Sequence, residues 1–404
     1  MQTVKFYKSR FVLLQLLFRR PAGKQVYADV LYIFGFIRFG ALLILIYIFT
    51  PLVIFLLSAS LLSLLRCEKW WIRAFDFPRM QFLILALILL FAELVFLDYT
   101  KLSFWLLFLP TLFSFCYQLW WILPYTKIYP YEVEQTSQND PDNSIKIITT
   151  NVLMSNRNAD KLISFVEEYT PDILVTLETN HWWETQLQSL ENDYPYQISC
   201  PLDNLYGMHV FSRYALSKST IEFLVEDDIP SIHTLLTLPS GQDIRMHFLH
   251  PAPPSPTENE ESSERDAELV MVAKSVVDAD IPVIVTGDLN DVAWSTTTRL
   301  FRKISKLLDP RIGRGMFNTF HADYWFMRWP LDHLFHSPHF KLYDMRRLPH
   351  FGSDHFALFT QLVYVNSRSK NVSSGLEADK EDQILANEKL SSEEVSEKEV
   401  PNPS

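Results

Sequence analysis

The sequence predicts an α/β (α+β) domain with two packed β-sheets, preceded by an N-terminal transmembrane helical region. Two observations carry this expectation. Nearly all the long uninterrupted apolar runs of the 404-residue chain lie before Lys127. Beyond that point short β-branched or aromatic runs mix with helical patterns without a strict βαβ period, which suggests layered sheets.

The apolar runs come first. Ala41 to Leu65 carries no charge and exceeds the roughly 20 residues that cross a hydrocarbon core. Gln81 to Phe96 and Leu102 to Leu123, joined by the polar turn Asp98 to Lys101, read as a helical hairpin, giving about three helices within residues 40–124. Pro51 and Pro110 are tolerated in such helices when neighbouring groups satisfy the freed carbonyls. Trp70, Trp71, Trp120 and Trp121 suit interfacial anchors.

The basic segment 1–39, with Lys5, Lys8, Arg10, Arg19, Arg20 and Lys24, belongs in the cytoplasm by the positive-inside bias. Three spans then place the following domain outside the cytoplasm, although Arg66, Lys69, Arg73 and Arg79 after the first span pull the other way. A fourth span over Ala28 to Gly40 would reverse the side, at the cost of Arg38 in mid-membrane. The expectation is a multi-pass protein with an extracytoplasmic domain.

Residues 125–143 have linker composition, so the soluble domain is expected over 144–366. Its strands are expected at Ile145 to Thr150, Ile173 to Leu177, His209 to Ser212, Ile244 to Leu249, Val283 to Thr286 and Phe356 to Val365. Its helices are expected at Ala159 to Tyr169 and Ser263 to Ala279. Residues 367–404 form a Ser-, Glu- and Lys-rich tail with few large apolar residues, expected to be disordered and acidic.

Net charge is −11, which argues against broad electrostatic attraction to nucleic acid, though part of that charge sits in the tail. Three cysteines, Cys67, Cys116 and Cys200, make no disulfide framework.

Ligand-type residues recur at the ends of apolar strands. Asn151 follows one and could be an ordinary turn residue. Glu178 ends a strongly apolar strand, where a carboxylate is expensive unless paired or holding a cation. Ser212 and Arg213 look structural. His250 ends a strand before a proline-rich turn and is preferred over His247, which shares its side only if the strand is bulged. Asp288 and Asn290 emerge from a buried strand two residues apart and share one face if the strand continues. Asp332 with His333, and Ser353 with Asp354 and His355, supply the neighbouring acid and imidazole that acid/base work requires.

Taken in order from Ser144 to Phe359, these six motifs resemble the endonuclease/exonuclease/phosphatase superfamily. The resemblance implies a four-layer sandwich with the site at one end of two mixed sheets. It implies that Glu178, helped by Asn151, holds magnesium (manganese would also fit), with Asp354 beside the metal. It implies that Asp288 orients or activates water, Asn290 contacts a phosphate oxygen, His355 pairs with Asp332, and His250 stabilises developing charge. A hard cation of this kind prefers oxygen ligands. No tyrosine stands at His250-Pro251, where nuclease members of the exonuclease III type carry one, and no basic aromatic insertion for duplex DNA is evident.

The function expected is a membrane-anchored magnesium-dependent phosphoesterase acting on phosphodiesters or phosphomonoesters, with lipid headgroups favoured slightly because the site is tethered beside a bilayer. The alternatives are a membrane-bound nuclease and, from another class, a non-catalytic membrane scaffold or sensor. Partners are a phosphate-ester substrate and the lipid bilayer, with nucleic acid in the nuclease case.

Overall fold

The structure is a computed structural model that describes residues 44–365 and 375–402. The basic segment 1–39, Arg38 and the first tail residues lie outside the described residues. The rest falls into two compact units, one of residues up to Leu61 together with Gln81–Tyr117, the other of Leu62–Met80 together with Gln118 onward.

The first unit is built on three helices, α1 (Ile44–Leu62), α2 (Arg79–Phe96) and α3 (Leu102–Ile122), each long and apolar enough to cross a membrane. Large apolar side chains stay outward, with Phe91 69% and Leu106 65% exposed, a surface suited to lipid rather than water. Between α2 and α3 the Thr111 hydroxyl donates to Glu93 Oε1 at 3.0 Å.

The second unit holds two mixed sheets. One sheet has the order β10-β11-β1-β2-β4-β3, with β1 (Ser144–Asn151), β2 (Ile173–Leu177), β3 (Tyr196–Cys200), β4 (Met208–Ser212), β10 (Phe340–Arg347) and β11 (Leu358–Tyr364). The other has the order β5-β6-β7-β8-β9, with β5 (Ala215–Glu222), β6 (Ser231–Thr237), β7 (Asp243–Leu249), β8 (Val283–Asp288) and β9 (Asp332–His336). Each sheet contains one parallel pair, β1 with β2 and β7 with β8. Parallel neighbours need a crossover, and α4 (Ala159–Tyr169) and α6 (Ser263–Val276) supply it.

The sheets pack face to face. Ile147, Val175, Leu177 and Val210 from one meet Ile232, Met246, Phe248 and Ile284 from the other in a single buried cluster. A second cluster puts α6 and α7 (Thr296–Ser305) on the outer face of the β8 sheet, and a third puts α4 and α5 (His181–Leu187) on the outer face of the β1 sheet. The result is helices, sheet, sheet, helices.

Two regions differ from expectation. The stretch 125–143 is no free linker: Val133 is fully buried in the core, Arg302 donates to Glu132 Oε1 at 2.5 Å, and the Tyr125 hydroxyl donates to the Ala293 carbonyl at 2.5 Å. The tail is ordered over 375–402, with a helix α8 (Lys380–Ser392) whose Ala386 and Leu390 pack on the α6 and α7 cluster. Ala386 and Leu390, four residues apart, share the buried side of the helix while Ile384 is exposed, so composition understates what it buries. Lys389 completes the docking, at 2.6 Å from Asp266 and 2.7 Å from Glu68.

Candidate active site

The candidate residues stand at the strand ends where the two sheets meet. Thr149 of β1 and Thr286 of β8 share a hydrogen bond of 2.8 Å across the gap. Side chains two residues on share their strand faces, so Asn151 and Asp288 also face one another, the Asn151 amide donating to Asp288 Oδ2 at 3.2 Å. Gly287 lets β7 and β8 approach: a Cβ there would lie 1.9 Å from the Leu249 carbonyl oxygen.

Glu178, just past β2, sits at φ +59°, and Asn290 at φ +50°. Such left-handed conformations are costly for these residues and persist where the surroundings enforce them. At Glu178 the surroundings are the Asn151 amide, donating to Oε1 at 2.7 Å, and the Met154 N–H, donating to Oε2 at 3.3 Å. Ser353 ties the final loop in, its hydroxyl donating to the Asn151 carbonyl at 2.8 Å.

His355 lies between two carboxylates. Its Nδ1 is 2.8 Å from Asp332 Oδ2 and its Nε2 3.5 Å from Asp288 Oδ2. His250 Nε2 stands 3.9 Å from the same Asp288 oxygen. Asn290 is held by its side chain, which donates to the Pro251 carbonyl at 3.0 Å, and its own N–H donates to Asp288 Oδ1 at 3.0 Å.

Burial sets the charges here. It would lower His355, but the Asp332 and Asp288 carboxylates win and hold the imidazole well above its usual range, as a cation. It would raise Asp288, yet His355 and His250, with hydrogen bonds from Asn290 and Asn151, keep that carboxyl below its usual range. Burial pushes Asp332 up and His250 down to about 4, leaving His250 neutral. It also pushes Glu178 up to about 7, against the Asn151 hydrogen bond.

Glu178 and Asp354 form no ion pair with a basic side chain among the described residues, and both line the cleft. A mostly buried carboxylate with no cationic neighbour at bonding distance, beside a second carboxylate and an amide, is an oxygen donor set suited to a hard divalent cation. Asp288, Asp332 and His355 also gather donor atoms within 4.8 Å of one another. There both imidazole nitrogens face carboxylates, so an imidazolium offsets one of the two negative charges and the three residues form a proton-handling set.

The cleft has a volume of about 310 Å³, and Asn151, Glu178, His250, Asp288, Asn290, Asp354 and His355 all line it. Asp332 backs His355 from behind. His247 is elsewhere, its Nδ1 2.6 Å from His233 Nδ1, because β7 runs unbulged and turns it away. His333 points out of the cleft, accepting from Arg311 at 2.7 Å. Ser212 and Arg213 are structural, the serine hydroxyl donating to the Tyr214 carbonyl at 2.7 Å.

The chain matches the model of the Endonuclease/Exonuclease/phosphatase family over residues 148–355. It belongs to that family. No curated protein sequence matches the chain significantly. Among solved structures, D. rerio TDP2 complexed with a single-strand DNA product is 18% identical, covering 55% of this chain and 99% of its own, with a TM-score of 0.44. The human Nocturnin catalytic domain with bound sulfate is 18% identical, covering 56% and 97%, at 0.46. An endonuclease/exonuclease/phosphatase from Beutenbergia cavernae is 16% identical, covering 55% and 72%, at 0.46.

Sequence reasoning missed several cleft residues of this family member. Tyr206 and Glu258, hydrogen-bonded to each other, line it, as do Phe320 and Phe77. Gly207 was a usable signal for Tyr206: a Cβ there would lie 1.8 Å from the Thr179 carbonyl oxygen, so the chain is pressed against the Glu178 turn. Phe77 carries no local signal, since it comes from the segment between α1 and α2.

Proposed function

We propose that the chain is a membrane-anchored, magnesium-dependent phosphoester hydrolase. The observation that carries this is His355 held between Asp332 at 2.8 Å and Asp288 at 3.5 Å, beside a Glu178 carboxylate that forms no ion pair with a basic side chain among the described residues. When bound, magnesium would be held by Glu178, Asn151 and Asp354 and would supply Lewis-acid polarisation of the phosphoryl group.

The chain's own residues do the rest. Asp288, ionised, accepts the proton of an attacking water and orients it. His355 donates toward the phosphoryl group, and Asp332 fixes its orientation and charge. Asn290, pinned at Pro251, directs its cleft-facing side toward a phosphate oxygen. His250, neutral, offers a hydrogen bond to charge developing on the phosphoryl oxygens.

Lipid headgroups are the favoured substrates. The cleft walls combine these polar groups with Phe77, Leu205, Pro253, Pro254, Phe320 and Leu331, and net charge is −11, both poor for gripping nucleic acid. The anchor is the α1 to α3 region, with the hydrolase over 144–366. The segment between α1 and α2 belongs to the same compact unit as the hydrolase, so both lie on one side of the bilayer. The basic residues there are largely engaged locally, Arg73 and Arg79 with Asp76 and Arg66 with Glu381. The more numerous basic residues of segment 1–39, Lys5, Lys8, Arg10, Arg19, Arg20 and Lys24, favour an extracytoplasmic hydrolase by the positive-inside bias.

The test is turnover by the full chain in detergent against sphingomyelin, phosphoinositides, single-stranded and duplex DNA, RNA and a soluble bis-aryl phosphodiester, with magnesium or EDTA. Magnesium-dependent release from a phospholipid supports the reading. Cleavage of nucleic acid alone would replace it with a membrane-bound nuclease, and no turnover of any substrate would favour a scaffold.

A further inference from the structure

The loop from Phe320 to Trp329 is a small hairpin. Phe320 and Trp329 are bridged antiparallel, the His321 N–H donates to the Met327 carbonyl at 3.0 Å, and Met327 N–H donates to the Tyr324 carbonyl at 3.2 Å. The inner end of the hairpin belongs to the cleft: Phe320 lines it and its ring lies 5.0 Å from that of His355. The Ala322 N–H donates to the Asp354 carbonyl at 2.6 Å, fixing the hairpin to the loop that carries the site.

The outer end is apolar and bare. Tyr324, Trp325, Phe326 and Met327 are consecutive and 51%, 79%, 53% and 41% exposed. Four adjacent large apolar side chains in water form a patch that marks an interaction surface. Arg328 follows the tip directly, and it and Arg347 stack on Phe356 at 5.0 and 4.2 Å; neither pairs with a carboxylate among the described residues.

The neighbours of this tip indicate what covers it. Its base, Trp329, packs edge-on against Phe77 at 5.6 Å. Phe77 is two residues before Arg79, where the apolar helix α2 begins. The same Phe77 lines the cleft. The aromatic tip, the cleft mouth and the entry of the chain into an apolar helix are therefore neighbours.

Resting on the hydrolase reading above, we propose that the Tyr324 to Met327 tip inserts into the interfacial layer of the same bilayer that holds α2. Its aromatic rings suit the headgroup level, and Arg328 and Arg347 suit the phosphates there. The cleft mouth is thereby seated on the membrane, and the substrate is an amphiphile presented from the bilayer with its phosphoester upward.

The experiment uses the full chain reconstituted in phosphatidylcholine vesicles. With the three native cysteines replaced by serine, an environment-sensitive fluorophore on Phe326→Cys is exposed to nitroxide-labelled lipid. Quenching is expected, and an unquenched probe on protein that still hydrolyses the soluble bis-aryl phosphodiester overturns the proposal. In parallel, Trp325→Ser/Phe326→Ser should lower turnover of vesicle-borne phospholipid by about tenfold or more while sparing the soluble diester. An equal loss on both substrates would mean that the tip shapes the site rather than docks it, which also overturns the proposal. Failure of the unmodified chain on both substrates would instead strike the hydrolase reading, and the quenching measurement would still decide the docking.

Discussion

Two buried polar clusters in the same unit handle charge in opposite ways. Around Asp266, every charge has a partner: Arg265 at 2.9 Å, Lys389 at 2.6 Å, and hydroxyls of Thr297 and Ser262 at 3.0 and 3.1 Å. Burial would raise that carboxyl, yet Lys389 and Arg265 hold it well below the usual range. At the cleft, Glu178 is pushed up to about 7 by burial, with no basic side chain in an ion pair with it among the described residues. The first cluster spends its charges on joining α8, α6 and the segment after α1. The second leaves a carboxylate uncompensated, which is the condition for taking up a cation and the mark of a site shaped for chemistry.

The sharpest break in this comparison is functional. His355→Ala and Asp288→Asn should each lower turnover of any accepted phosphoester by about 10²–10⁴-fold, with folding retained by circular dichroism. Lys389→Met should do the reverse, leaving the cleft intact but weakening the fold. Removing one partner of a buried pair costs about 3–5 kcal/mol, and because Arg265 stays with Asp266 the low end is expected in a denaturant titration.

Glu178→Gln separates the two clusters further. In EDTA it should stabilise the protein by on the order of 1–2 kcal/mol, because it removes a buried uncompensated charge, while abolishing magnesium-dependent turnover. Asp266→Asn should only destabilise. A thermal melt of the two variants side by side checks the contrast.

The smallest effect concerns the buried imidazoles away from both clusters. Burial holds His233 down to about 3 and His247 well below its usual range. Their folded values are depressed, so the unfolded chain takes up protons that the folded one refuses. Stability from this pair is fully present above about pH 6.5 and is lost as pH falls toward 3. His233→Gln should flatten part of that decline in melting temperature between pH 6.5 and 4.5.

The strands that were legible are those buried on both faces. Ile173–Leu177 and Val283–Asp288 are continuous apolar runs, and their ends carry Glu178 and Asp288. β3 and β5 were not legible because their residues are largely solvent-facing, and β9 hid because Asp332 and His333 interrupt its apolar signal. Five of the six strand-end motifs brought seven lining residues into one cleft and the sixth set Asp332 behind His355, since a residue just past a buried strand has few places to go. Phe77 and Glu258 arrive from segments where no local pattern marks them, and Tyr206 is marked only by the neighbouring Gly207. The tail helix was missed for a related reason: one buried lysine and a few aliphatic residues dock it, and their value depends on Asp266 being there to meet them.

The most direct measurement is turnover of the soluble bis-aryl phosphodiester as a function of magnesium concentration by the full chain and by its Glu178→Gln and His355→Ala variants. A phosphoester hydrolase built as described gives saturable magnesium dependence in the unmodified chain, loss of that dependence in Glu178→Gln, and a rate reduced at every magnesium concentration in His355→Ala. Magnesium-independent turnover, or a His355→Ala variant as fast as the parent, would contradict it.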